Sequence, residues 1–202
     1  MAESDSTPIT PVTLDEIRSA LRAAAEDFLG RVQLAHPGET MYGFLLEISS
    51  SQFDAHGAVG TEEGLTRFAE KWVAGENADE DNDTVEKATA YFRWGSTEDA
   101  WYQQPDEAFF AVGELLNRAQ EEGLYEEYGD ALETLCIEVL KGMDAASRFG
   151  SGTQRERVAL GLCYIGGDNS EKEFLAWAKQ VNPPKVYKRL RKRVPQAGLI
   201  GG

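Results

Sequence analysis

The apolar positions of the chain fall into blocks with two different rhythms. Leu14, Ile17, Leu21, Ala24, Ala25 and Phe28 keep helical spacing, one face of a 3.6-residue repeat. Thr13 stands before them with Glu16 three residues on, the reciprocal pattern of a capping box. His36-Pro37-Gly38 ends this helix, because the residue before proline avoids the helical well and glycine permits a turn. Met41 to Ile48 is then a short apolar run that reads as a buried strand, closed by Ser49-Ser50-Ser51. A second, shorter extended piece is expected around Ala58-Val59. Thr61 opens a helix carrying Leu65, Phe68, Ala69, Trp72 and Val73, with Glu62 and Glu63 near its positive end.

Further along, Val85 to Trp94 is divided. Tyr91-Phe92-Arg93-Trp94 favours a strand, whereas Val85 to Ala90 favours a helix. Pro105, followed by Asp106 and Glu107, marks a helix start, and Phe109, Val112, Leu115, Leu116 and Ala119 form its stripe. After Gly123, a long amphipathic helix runs through Tyr125, Tyr128, Leu132, Leu135, Cys136, Val139, Leu140 and Met143. Ser147 to Gly152 is a loop. Arg157 to Ile165 reads as another buried strand, stopped by Gly166-Gly167. Asp168 or Ser170 caps a helix with Phe174, Leu175, Trp177 and Ala178, and Asn182-Pro183-Pro184 breaks it. A short basic helix follows from Val186 to Arg193.

Few strands, not regularly alternating with helices, predict an α+β fold rather than a doubly wound sheet. The expected sheet is small, about three or four strands, mostly antiparallel, and covered by helices on one face. One domain is expected over 13–194, with a mobile acidic loop at 75–83 and loose tails at 1–12 and 195–202.

Charge changes the picture more than composition does. The formal net charge of the 202 residues is −15. Residues 62–138 hold 21 Asp/Glu against five Lys/Arg, whereas residues 183–202 hold six Lys/Arg and no acid. The negative field opposes binding along a phosphate backbone and steers basic partners; a solvated face is its plainer reading. The basic segment Lys185 to Arg193 has the composition of a nucleic-acid or membrane patch. Docking on the acidic domain is the favoured reading of it. No apolar run approaches the length of a membrane span. The first residues lack a signal-peptide pattern, so the cytoplasm is the expected compartment.

Candidate chemistry is sparse. Cys136 and Cys163 lie within apolar periodic segments, where free thiols pack as small hydrophobes. His36 and His56 sit in loops, each a general base by type alone. The run Asp79-Glu80-Asp81-Asn82-Asp83 lacks the register of a calcium loop. Gly150-Ser151-Gly152 and Gly166-Gly167 lack a phosphate-loop Lys-Ser/Thr. Neither a catalytic residue, a metal site nor a cofactor is expected. The terminal Gly201-Gly202 has the shape of a conjugation tail, though a frayed end is the plainer reading.

His36-Pro37-Gly38-Glu39 leading into Met41-Tyr42-Gly43-Phe44, then Thr61-Glu62-Glu63-Gly64-Leu65, Arg93-Trp94 and Asn182-Pro183 occur in this order. In that order they resemble the bacterial domain-of-unknown-function family four-three-zero-three, over most of residues 13–190. The resemblance implies a small bacterial α+β protein of the kind found beside toxin genes, and it transfers no catalytic residue.

Two functional classes follow. The first is a non-enzymatic interaction protein, in particular an immunity protein masking a basic toxin, with Glu62, Glu63, Glu126, Glu127 and Asp130 as acidic contacts. Tyr125 and Tyr128 would be its aromatic anchors, with core packing as their alternative. Neither nucleic acid nor a membrane is an expected partner. The second class is an enzyme with a small-molecule pocket formed by Tyr42, Arg93, Trp94 and Trp101, where an arginine beside aromatics clamps a carboxylate or phosphate.

Overall fold

The computed structural model describes residues 11–49, 54–75, 82–94, 100–104, 106–164 and 170–194. Among them are eight helices and three strands, an α+β fold. Helix α1 (Leu14–Ala35) starts on the capping box of Thr13 and Glu16 and leads into β1 (Met41–Ser49). Strand β2 (Asp54–Thr61) runs into α2 (Glu62–Val73), where the Thr61 hydroxyl accepts the Gly64 N–H at 3.0 Å. Helix α3 (Val85–Phe92) follows, then a 3₁₀ turn at Asp106–Phe109 that continues as α4 (Phe110–Glu121). Helices α5 (Tyr125–Ala145) and α6 (Gly152–Arg155) precede β3 (Ala159–Tyr164). Helices α7 (Glu171–Val181) and α8 (Pro184–Arg193) complete the chain. No helix of the described residues is long and apolar enough to cross a membrane.

The sheet has the order β2-β1-β3. It is mixed rather than mostly antiparallel: β1 pairs antiparallel with β2 and parallel with β3. The hydrophobic pattern locates strands but does not encode direction, and the long helical crossover between β1 and β3 is what permits parallel pairing.

Helices cover both faces, not one. On the first face Phe44, Leu46, Ile48, Leu160 and Leu162 pack with buried residues of α1, α4 and α5. On the second, Leu45, Ala58, Ala159 and Cys163 meet Leu65, Phe92, Phe174 and Leu190 of α2, α3, α7 and α8. Burial on both faces explains why β1 reads as an unbroken apolar run. Phe28 bridges Phe44 and Phe109 with ring centroids 6.4 and 5.9 Å away. Each such ring contributes roughly 1.5–3 kcal/mol by leaving water.

Two elements differ from their sequence reading. Strand β2 is longer than the short piece expected at Ala58-Val59. Its Ala and Gly residues have low strand propensity, yet close packing demands them, since a Cβ at Gly57 would lie 2.5 Å from Phe28. Tyr91-Phe92-Arg93-Trp94, which favoured a strand, ends a helix instead. Thr84 caps α3 by accepting the Lys87 N–H at 3.3 Å, and tertiary packing of Ala88 and Phe92 overrides the aromatic preference for a strand. Of the acidic loop 75–83, residues 76–81 lie outside the described residues, and Asn82 is buried at its end. Pro105 and the tails 1–10 and 195–202 also lie outside.

Candidate functional site

A local irregularity in β1 builds the site. The register moves from Met41 opposite Thr61 to Gly43 opposite Gly60, so Tyr42 is the extra residue of a bulge. A bulge re-aims side chains. Met41 packs against the first-face core, while Tyr42 joins the second face together with Trp94 and Trp101.

The floor there is bare backbone. A Cβ on Gly60 would stand 2.5 Å from the Tyr42 ring, and one on Gly43 would stand 2.4 Å from Trp101. Tyr42 meets Trp94 and Trp101 edge-on, with centroids 5.6 and 5.1 Å apart. The Arg93 guanidinium lies over the Tyr42 ring at 4.5 Å, a cation–π contact. Tyr42, Arg93, Trp94 and Trp101, named together from sequence, therefore do meet. Trp101 arrives through a short antiparallel bridge between Tyr102 and Val59 at the open edge of β2.

Arg93 is held by Glu62 through two parallel bonds, Nη1 to Oε1 at 2.8 Å and Nη2 to Oε2 at 2.5 Å. Burial opposes its charge, but the bonds to Glu62 outweigh burial and hold its pKa above the ordinary arginine value. Burial likewise pushes the Tyr42 phenol up, against the pull of Arg93. The Tyr42 hydroxyl and the Trp94 indole N–H are buried with no hydrogen-bond partner among the described residues.

Beside this group opens a cleft of about 230 Å³, lined by Tyr42, Glu62, Arg93 and Trp94 and also by Arg157, Arg189 and Arg193. A second cleft of about 440 Å³ shares Thr40, Met41 and Arg157 with it and extends past His36, Glu39 and Thr61. Both lie at the amino end of the parallel pair β1 and β3. That is the end opposite to the one where open parallel sheets usually seat ligands.

Glu39 organises the second cleft. It accepts hydrogen bonds from Thr61 at 2.5 Å, Arg67 at 2.6 Å and Tyr102 at 3.1 Å. Burial raises its pKa, yet these bonds prevail and leave it below the usual carboxylate range. His36 stacks on the Tyr102 ring at 3.8 Å. Glu63 accepts the Thr40 N–H at 2.6 Å.

The remaining sequence candidates lie elsewhere. Tyr128 faces the interior and its hydroxyl donates to the Val12 carbonyl at 2.6 Å. The side chains of Tyr125, Glu126, Glu127 and Asp130 lie outside the described ones. His56 pairs with Asp54 at 2.9 Å on the edge strand. Cys136 and Cys163 are free and buried. At the far end of β1, buried Glu47 accepts from Gln103 at 2.9 Å and from the Cys163 thiol at 3.6 Å.

Sequence reasoning missed Arg157, Arg189, Arg193 and Glu39 as site residues. Arg189 and Arg193 stand four apart on α8 and so share a helical face, but Lys188 and Lys192 do the same, so spacing alone does not single out the arginines. Where that face points is a tertiary fact.

The fold and its paired clefts define a small α+β protein with a polar, arginine-lined concavity at the amino end of a mixed sheet. The chain belongs to the family described as Domain of unknown function (DUF4303), whose profile matches residues 17–183. No curated protein and no solved structure matches it.

Proposed function

We propose that the protein binds a small polar molecule in the cleft around Arg93 and Trp94. One observation carries this reading. The cleft's walls include Tyr42 and Trp94, whose hydroxyl and indole N–H are buried without partners among the described residues, and each such atom costs about 1–3 kcal/mol until something satisfies it. A few convergent polar groups in a concavity are the usual form of a small-molecule site. The four aromatic and cationic residues are held rigidly by the Gly43 and Gly60 floor and by Glu62, which suits recognition without rearrangement. The test is a small-molecule library screened by NMR on indole-labelled protein, with the Trp94 resonance assigned through a Trp94→Phe variant. Hits should shift that resonance. A screen whose hits all leave Trp94 unmoved sinks the reading.

The charge distribution favours a second reading, a non-enzymatic bacterial interaction protein that docks a basic partner, in particular an immunity protein for a basic toxin. Residues 62–138 carry a net −16, a field that speeds encounter with cations. Glu62 and Glu63 already serve partners inside the chain, so the docking charges would be others such as Glu126 and Glu127. A basic protein should co-purify stoichiometrically at low salt, elute as salt rises, and be lost with Glu126→Lys and Glu127→Lys. A companion indifferent to these reversals would rule the reading out.

A further inference from the structure

The chain has 35 acidic against 20 basic side chains, so every cation has a surplus of carboxylates to choose from. Lys185 on α8 takes one, Glu156, at 2.5 Å. Its neighbours on the same helix face do not. Arg189 spends two donors on the carbonyls of Glu156 and Arg157, both at 2.8 Å, and meets no carboxylate among the described residues. Arg157 and Arg193 have no ion pair among the described residues. All three residues line the cleft that already holds Arg93, and among its described lining residues the one acid, Glu62, is engaged by Arg93. Three cations without an ion pair among the described residues thus line a space of about 230 Å³ in a protein of net charge −15.

We propose that this cleft is a phosphate site, in which Arg157, Arg189 and Arg193 hold the phosphoryl group of a small organic phosphate whose hydroxylated body lies along the adjoining cleft. The proposal rests on the reading of the cleft as a ligand site and adds the class of ligand and the residues that select it. Charge decides for phosphate over carboxylate. A monoanion leaves two cations uncompensated, whereas a phosphate monoester carries about −1.5 to −2 near neutral pH and offers three strong acceptor oxygens. Arginine's planar fork matches such oxygens bidentately. Arg189 is pre-positioned: its two carbonyl bonds fix the side chain and leave three of its roughly five N–H donors free. Burial, and after it the nearby Arg193 and Arg93, depress its pKa; a bound anion relieves that repulsion.

The adjoining cleft fits the rest of the molecule. It is reached through shared Thr40, Met41 and Arg157, and Gln33, Thr61 and Gln154 give its walls a polar character suited to hydroxyls. A nucleic-acid polymer is disfavoured, because beyond the cleft it would run into the negative field.

Calorimetric and NMR titrations at about pH 8, where phosphate is a dianion, test this with inorganic phosphate, glycerol phosphate, glycerol and acetate at one ionic strength. Glycerol phosphate should bind more tightly than inorganic phosphate, and both should shift Trp94. Acetate and glycerol should be at least about tenfold weaker. Arg157→Gln with Arg193→Gln, both exposed and unpaired, should melt like the wild type yet lose about a hundredfold in phosphate affinity, roughly tenfold per charge-assisted contact. Acetate equal to phosphate, or a variant of unchanged affinity, overturns the proposal. If phosphates leave Trp94 unmoved while uncharged library compounds shift it, the phosphate class falls and the cleft reading stands. If nothing shifts it, both fall. A single-stranded oligonucleotide that displaces glycerol phosphate at lower concentration than the monoester also overturns it, in favour of a polymer.

Discussion

Asn182 offers a sharp test of how α7 is fastened to the sheet. At the end of that helix, one side-chain amide serves the open edge of β3 as a neighbouring strand would. Its Oδ1 accepts the Leu160 N–H at 2.8 Å, and its Nδ2 donates to the Leu160 carbonyl at 2.6 Å and the Ala178 carbonyl at 2.8 Å. Asn182→Leu removes all three bonds and leaves the buried Leu160 N–H and carbonyl without a partner. At about 1 kcal/mol net for each bond, the expected loss is about 3 kcal/mol. With a urea m-value of about 2 kcal/mol/M, the unfolding midpoint should fall by about 1.5 M. Asn182→Ala leaves room for a water to take up the freed groups, so its loss should be about half as large. Asn182→Asp keeps the acceptor but sets a carboxylate against two carbonyls, and should lose at least as much as leucine at neutral pH. Urea melts followed by tryptophan fluorescence read all three. A leucine variant within about 0.3 M of the wild type, or an alanine variant weaker than leucine, would refute the edge-pairing account.

Two further perturbations probe the site's frame. Gly43→Ala puts a methyl 2.4 Å from Trp101 and 3.4 Å from Trp94, which should cost about 1–3 kcal/mol by overpacking. Trp101→Leu in the same chain should recover part of that loss, and strictly additive urea midpoints would contradict the contact. Glu39→Gln weakens the bonds from Arg67 and Thr61 and should destabilise the protein by about 1.5–3 kcal/mol at neutral pH. Because the folded pKa of Glu39 is depressed, its contribution is complete above the unfolded value of about 4.3 and fades as pH falls through the folded value. The gap between variant and wild type should therefore narrow as pH falls below the unfolded value, and a pH-independent gap in urea midpoints would disprove the linkage.

Much of the frame is legible in the sequence because local chemistry and tertiary demand agree there. Thr13 with Glu16 and Ser170 with Glu173 write their capping boxes directly into the chain. The same holds for the apolar run of β1 and for Asn182-Pro183-Pro184 between α7 and α8. Where the two conflict, the sequence misleads. Tyr91 to Trp94 carries strand-loving aromatics, yet Thr84 starts a helix and Phe92 fills the space between Phe68 and Trp72. β2 hides behind Ala and Gly that give no strand signal, because their smallness serves Phe28 and Tyr42 on other elements. Strand direction and the covering of both sheet faces depend on a crossover through five described helices, which no local pattern encodes.

The site divides along the same line. Tyr42, Arg93, Trp94 and Trp101 are distinctive residue types and draw attention singly, and the structure brings them together. It also brings together most of the short pieces on which the family resemblance rests. Glu39 meets Thr61, Thr40 meets Glu63, Glu62 meets Arg93, and Tyr42 meets Trp94. These pieces therefore belong to one place rather than to separate structural needs. The arginines of α8 and Arg157 were hidden for the opposite reason. A basic segment in an acidic chain invites the reading that it neutralises its own domain, and on that reading each cation should find a carboxylate. Among the described cations of α8, Lys185 alone does so. Val186 and Leu190 bury the other side of the helix against the second-face core. Hydrophobic docking of α8 thus sets where its charges go, and it holds Arg189 and Arg193 beside Arg93 in spite of mutual repulsion. A folded chain gains nothing from like charges crowded into a cleft when carboxylates are in surplus. On the phosphate-site proposal, an anion from outside the chain accounts for their persistence.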